Sequence, residues 1–187
     1  MKTVPTREDL IRELIFPGQI GAEVGVYRGG FSRKIAELGV GMLYCIDAWE
    51  QYREYEKDSL CHTNQDDNHE ATKRELAEWI KHGRCKVIRS RSTDAAKTWT
   101  VPLHFLFLDS NHAYEFVRDD LAAWSQHILP NGVILCHDFT ETSAGAIAMG
   151  FGVVRAVNEF CASHGWEITH VTQEPDWPSC ALRRKVS

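Results

Sequence analysis

The chain has 187 residues, of which 43% are hydrophobic and 25% charged, and its formal net charge is -5. Length and apolar content fit one compact domain over residues 1–187, with no internal repeat, low-complexity tract or bilayer-spanning apolar run. No basic segment followed by an apolar one opens the chain, and its one dense basic run, Arg183, Arg184 and Lys185, is too small for a nucleic-acid footprint, so a soluble, cytoplasmic protein with neither membrane nor nucleic-acid partner is expected.

Ile20 to Val24 read as a buried strand, Gly25, Gly29 and Gly30 permit a tight turn, and Phe31, Ile35 and Leu38 then recur at helical spacing. A helix that starts where a strand ends points its first N–H groups at whatever lies over the strand tip. Glu23 decides what that is. An acid beside the turn repels pyrophosphate but accepts hydrogen bonds from an ammonium or from hydroxyls. Met42 to Ile46 form a second strand ending in Asp47, about the ~20 residues downstream at which doubly wound folds place a ribose-binding acid.

Ala48 to Asn68 follow as a polar stretch carrying Trp49, Tyr52 and Tyr55. It exceeds the ~12–15 residues of ordinary connections, and its aromatic groups suit an acceptor lid over residues 48–68, a surface excursion or an oligomer contact. His69 to His82 read as a helix with Gly83 past its end, Cys85 to Ser90 as a third strand, and Val101 to Leu108 as a fourth ending in Asp109. Tyr114, Val117, Leu121, Trp124 and Ile128 mark a helix closed by Pro130 and Gly132, and Val133 to Cys136 a fifth strand ending at His137 and Asp138. Gly152 to His164 give another helix, and Trp166 to Val171 and Ser179 to Arg184 two strands joined by a connection short enough for antiparallel pairing. The fold class expected is α/β, a Rossmann-like doubly wound and mostly parallel seven-stranded sheet with a C-terminal antiparallel hairpin. Cys45, Cys85 and Cys136 fall inside strands as small apolar groups, and Cys61, His62 and His69 lack an evident fourth ligand for zinc.

The spacing Glu23, Gly25, Gly29, Ser32 resembles motif I of the class I S-adenosylmethionine-dependent methyltransferases, and departs from G-x-G-x-x-G. The run FLFLDSNHAYEFVRDDLAAWSQHILPNGVILCHDF, Phe105 to Phe139, and GVVRAVNEF, Gly152 to Phe160, resemble the small bacterial family related to macrolide, cephalosporin and aminocoumarin sugar O-methyltransferases. The resemblance implies methyl transfer from S-adenosylmethionine to an oxygen of a small-molecule or glycan acceptor. It places the methionine portion of the cofactor at Gly25, Tyr27, Gly29, Gly30 and Ser32 with Glu23, the ribose at Asp47 and Ala48, and the adenine edge at Ser90, Arg91 and Ser92, with Asp109 alongside. In the relatives an acid matching Asp109 and an acidic pair matching His137 and Asp138 hold a divalent cation, Mg²⁺ where all ligands are oxygen; an imidazole at His137 shifts preference toward Mn²⁺, Fe²⁺ or Zn²⁺, unless that ring turns away. Asn111 stands where some relatives carry a proposed base and cannot take up a proton near neutral pH, which leaves that role to His112 or His137. A nicotinamide-dependent oxidoreductase and a cofactor-binding module without turnover are the alternatives.

Overall fold

The computed structural model describes residues 1–51 and 62–185. In chain order it contains β1 (Lys2–Val4), α1 (Arg7–Leu14), β2 (Ile20–Val24), α2 (Gly30–Glu37), β3 (Met42–Asp47), α3 (Gln65–Glu75), α4 (Ala77–Lys81), β4 (Cys85–Arg89), α5 (Ser92–Lys97), β5 (Leu103–Leu108), α6 (Tyr114–Ser125), β6 (Ile128–Cys136), α7 (Ala144–Met149), α8 (Val153–His164), β7 (Trp166–Thr172) and β8 (Cys180–Arg184). The strands form one sheet in the order β1-β7-β8-β6-β5-β2-β3-β4. All neighbours pair in parallel except β6 with β8 and β7 with β8. The direction of winding reverses between β2 and β5, and at such a reversal the loops leaving the carboxyl ends of the two strands part and leave a crevice.

Helices cover both faces. On one, α5, α6 and α8 pack Ala96, Leu121, Trp124, Val157 and Phe160 against Ala22, Val24, Leu106, Leu108 and Ile134 of the central strands. On the other, α1 and α2 pack Leu10, Ile11, Leu14 and Ile35 against Leu43, Phe105, Phe107, Val133 and Leu135. A strand buried on both faces reads as a continuous apolar run, as LHFLFL does in β5. The register shift against β6 between Leu103 and Phe105 places those two residues on opposite faces although they are two apart.

The sheet has eight strands, one more than the sequence suggested. The addition is β1, which pairs with β7 and buries only Val4, too short a segment to leave a period-two signal. Helices α1, α5 and α7 also went unread, since none exceeds eight residues. The expected helix His69 to His82 begins earlier, where Asn64 caps α3 by accepting from the Asp66 and Asp67 N–H groups, and breaks at Leu76. Pro130 and Gly132 lie inside β6 rather than ending a helix; Pro130 and Asn131 sit at its irregular, partly exposed start, where a missing N–H does no harm. Of the proposed lid, Trp49 is buried and residues 62–68 belong largely to the start of α3, whereas Tyr52 and Tyr55 fall outside the described residues.

Close contact between β2 and β5 depends on Gly21, because a Cβ there would lie 2.2 Å from the ring of Phe105. Gly21→Ala is expected to destabilise the protein by about 1–3 kcal/mol through overpacking. Phe105→Leu in the same chain should recover part of that loss, which a double-mutant cycle of urea-denaturation free energies checks.

Candidate functional site

At the carboxyl edge of β2, β3, β5 and β6 opens a cavity of about 660 Å³, within the ~300–1,000 Å³ usual for small-molecule sites. Its first wall is the turn after β2. Gly25 has φ +86° and a Cβ there would lie 2.0 Å from the Asp109 carbonyl oxygen, so only glycine lets the β2 and β5 loops close on one another. Asp47, at the tip of β3, fastens that turn. Its Oδ2 accepts from the N–H groups of Val26 (2.8 Å) and Tyr27 (3.1 Å), and its Oδ1 from Trp49 N–H (2.8 Å). A carboxylate offers about four acceptor positions, so little capacity is left for a ribose diol. Among the described residues, Tyr27 (φ 56°), Trp49 (φ 42°) and Asp138 (φ 57°) are left-handed without being glycine, and all three stand in loops around the cavity.

Glu23 is buried on the α2 side of the sheet and accepts a hydrogen bond from Ser32 Oγ. Burial pushes its carboxyl well above the usual range, the serine offsetting part of the effect and Asp109 and Asp47 adding to it. Of the residues the resemblance assigns to the cofactor, Glu23, Gly25, Tyr27, Gly30, Asp47, Ala48, Ser92 and Asp109 line the cavity. Four expected cofactor residues do not. Gly29 backs onto Thr72, Ser32 is spent on Glu23, Ser90 Oγ donates to the Arg91 carbonyl, and Arg91 pairs with Glu50. Ser92 accepts from Trp124 Nε1 at 2.9 Å, and its hydroxyl and Ser110 Oγ (2.7 Å) both serve Asp120 of α6. Asp120 thereby ties the loop after β4 to the loop after β5.

Asp109 and Asp138 follow β5 and β6, and two histidines stand between them. His112 Nε2 is 2.7 Å from Asp138 Oδ2 and 3.5 Å from Asp109 Oδ1; His137 Nδ1 is 3.0 Å from Asp138 Oδ1 and 3.2 Å from Asp109 Oδ1. Neither ring nitrogen is aligned as a directed hydrogen-bond donor, so the contacts are electrostatic. Burial opposes charge on His112, but Asp109 and Asp138 outweigh it and push the ring up to about 9. In turn the histidines hold both carboxyls below their usual range against the effect of burial. A neutral His112 acting as base at pH 7 is therefore not what this environment favours.

Sequence reasoning missed Arg7. The first residue of α1 reaches the same cluster, its Nη1 lying 2.9 Å from His137 Nε2 and 4.0 Å from Asp109 Oδ2. Burial disfavours charge on His137 and the two carboxylates press it to take a second proton, yet a guanidinium only donates, so the 2.9 Å contact is met only by a ring whose Nε2 keeps its lone pair. Asp109, His137 and Asp138 offer ligand atoms within 4.8 Å of one another, the one such group among the described residues. As a metal site this donor set does not fit, because Arg7 occupies the lone pair of His137 and leaves the proton on Nδ1, the nitrogen that faces the carboxylates.

The far wall is aromatic and was likewise unread. His112 stacks on Phe151 (4.4 Å between centroids), Phe151 meets Trp177 at 5.6 Å, and Met149 completes the surface. Trp177 comes from the β7–β8 connection and lies over Gly145, where a Cβ would stand 2.6 Å from the indole. No periodic pattern announces a tryptophan in a polar loop.

A mostly parallel sheet with this strand order, a glycine turn under an acid, and acidic strand tips across a reversal of winding define the class I S-adenosylmethionine-dependent methyltransferase fold. A family model described as "Methyltransferase domain" matches residues 22–139, more than half of the chain, and the protein belongs to that family. Solved structures share the fold at low identity. A candidate rRNA methylase from Clostridium thermocellum has 14% identity and a TM-score of 0.70, covering 97% of this chain and 94% of its own. A candidate RNA methyltransferase from Pyrococcus horikoshii has 13% identity and a TM-score of 0.66 over 96% of this chain and 80% of its own. A candidate methyltransferase from Streptococcus mutans, solved with S-adenosylhomocysteine, has 11% identity and a TM-score of 0.66 over 96% of each chain. No helix among the described residues is long and apolar enough to cross a membrane.

Asp120 gives the site a pH signature. Burial raises its carboxyl to about 6, Ser92 and Ser110 opposing, so the folded state binds this proton more tightly than the unfolded chain. Stability from this group is fully present below about pH 3.8 and is lost as pH rises through 6, a fall of roughly 2–3 kcal/mol. Asp120→Asn should lack that fall. Urea denaturation of both proteins between pH 4 and 7 checks it, and parallel stability curves would remove the assignment.

Proposed function

We propose that this methyltransferase moves the methyl group of S-adenosylmethionine to an oxygen of a small molecule or glycan. The observation that carries the reading is that the Glu23–Gly25 turn and the Asp109–His112–Asp138 cluster open onto one cavity, one side of which is the apolar surface of Met149, Phe151 and Trp177. Membership of the methyltransferase family takes the place of the nicotinamide-dependent alternative.

The chain's own groups fit such a donor. Gly25 and Gly30 leave room at the turn, while Glu23, buried and inclined to keep its proton, gives that proton up when an ammonium arrives beside it. Asn111 Oδ1 accepts from Ala113 N–H at 2.9 Å, and its Nδ2 has no protein partner, which leaves it to donate to a ligand oxygen. When bound, the sulfonium supplies an activated methyl group for in-line displacement. The protein's part is then to hold the acceptor oxygen in near-attack contact and to exclude water. Phe151, Trp177 and Met149 present a surface on which a ring or the apolar face of a sugar lies flat, and His112, stacked on Phe151, stands beside any hydroxyl held there.

Loss of the hydroxyl proton falls to His112 once its ring is neutral. Two of the similar structures carry RNA in their descriptions, which makes RNA the competing acceptor. A net charge of -5 and the aromatic wall favour the small molecule.

Calorimetry with S-adenosylmethionine in two buffers of different ionisation enthalpy should give saturable binding with proton release that Glu23→Gln abolishes. Product assays across phenol, sugar and RNA acceptors then test the transfer; turnover on RNA alone would replace the acceptor assignment, and no turnover on any would favour a binding module. With an accepted substrate, kcat should rise with pH toward about 9, the value to which Asp109 and Asp138 hold His112. His112→Asn should remove that rising limb and cut the rate by roughly 10²–10⁴ while leaving cofactor affinity nearly intact. An unaltered profile would eliminate His112 as the base.

A further inference from the structure

Arg7 is held at the cluster by more than its side chain. Its backbone N–H donates to Glu174 Oε2 at 3.0 Å, Thr6 caps α1 by accepting from Asp9 N–H, and the β1–β7 pairing fixes the segment that leads into the helix. The guanidinium also lies 4.7 Å from the centre of the Phe31 ring. Its reach to His137 is thus a built contact.

The chemistry of that contact is one-sided. Arginine carries N–H groups and no lone pair, so at 2.9 Å from Nη1 the Nε2 of His137 must be the acceptor. A neutral imidazole has one N–H and one lone pair, and with the lone pair engaged by Arg7 the proton is fixed on Nδ1. Nδ1 is the nitrogen set 3.0 and 3.2 Å from Asp138 and Asp109. A protonated nitrogen cannot ligate a metal ion, whereas it can offset the charge of two neighbouring carboxylates.

We propose that Arg7 selects the Nδ1–H tautomer of His137 and so makes the Asp109–Asp138 pair a metal-independent centre, in which N–H groups of the protein stand where a divalent cation would otherwise bridge the two acids. Arg7 is a positioning residue in this arrangement, acting through His137. The inference concerns the same cavity as the proposed methyl transfer, but its readouts are metal binding and tautomer state, so either can fail without the other.

Mn²⁺ titrations followed by electron paramagnetic resonance test it on wild type, Arg7→Met and Arg7→Lys. Wild type should give no saturable binding up to millimolar Mn²⁺. Arg7→Met, which frees Nε2 and lets the proton leave Nδ1, should bind at least tenfold more tightly, and Arg7→Lys, which retains a donor, should behave as wild type. Should Arg7→Met not fold, long-range ¹H–¹⁵N spectra of wild-type His137 decide alone: a protonated Nδ1 with a bare Nε2 is required. Micromolar Mn²⁺ binding by wild type that His137→Asn abolishes, or a protonated Nε2, would overturn the proposal.

Discussion

Two carboxylates at the ends of adjacent parallel strands are the condition to which the rest of the site answers. Asp109 and Asp138 leave β5 and β6 side by side, and both are largely buried, so their charges repel in a medium that screens poorly. Every nearby cation or donor comes from a different part of the chain: His112 from the loop into α6, His137 from the end of β6, Arg7 from the N-terminal helix. With His112 charged and His137 neutral, two negative groups face two positive ones. Charge balance, rather than proximity to a reacting atom, accounts for the high value at His112.

The same loops are fastened by two further acids. Asp47 closes the turn after β2 through two backbone N–H groups, and Asp120 joins Ser92 to Ser110. A turn rich in glycine has little stiffness of its own. Asp47 supplies it, which is why an acid placed at the ribose-binding distance has most of its acceptor capacity already engaged. A ligand hydroxyl that competed for Oδ2 would also loosen that turn.

How legible the chain was depended on the length of the signal. Strands β2, β3, β5 and the second half of β6 are short, mostly apolar runs with an acid near, at or just past the end, and these were read with their tips, giving Glu23, Asp47, Asp109 and the His137–Asp138 pair. Position at a strand tip, however, does not say which way a side chain turns. Ser90 and Arg91 follow β4 correctly, yet Arg91 swings to Glu50, and Ser32 turns inward to Glu23. Arg7 and Trp177 were illegible for another reason: Arg7 meets partners 130 and 167 residues away in sequence, His137 and Glu174, and Trp177 meets Phe151 and Gly145 from a different connection. No local periodicity encodes such a contact.

The division between legible and illegible residues follows the span of the family match. Residues 22–139, where the family match lies, contain the glycine turn, Asp47, both carboxylates and both histidines. Arg7, Phe151 and Trp177 lie outside that span, on the N-terminal helix, the α7–α8 connection and the β7–β8 connection. These outer segments touch the common core at its charged cluster, Arg7 through His137 and Phe151 through His112. The aromatic wall and the protonation of the acid–histidine cluster are therefore set by the same pieces of chain. A change that reshapes the aromatic wall moves His112 with it, and a change that reseats α1 alters His137, so the shape of the wall and the charge of the cluster are coupled through these two contacts.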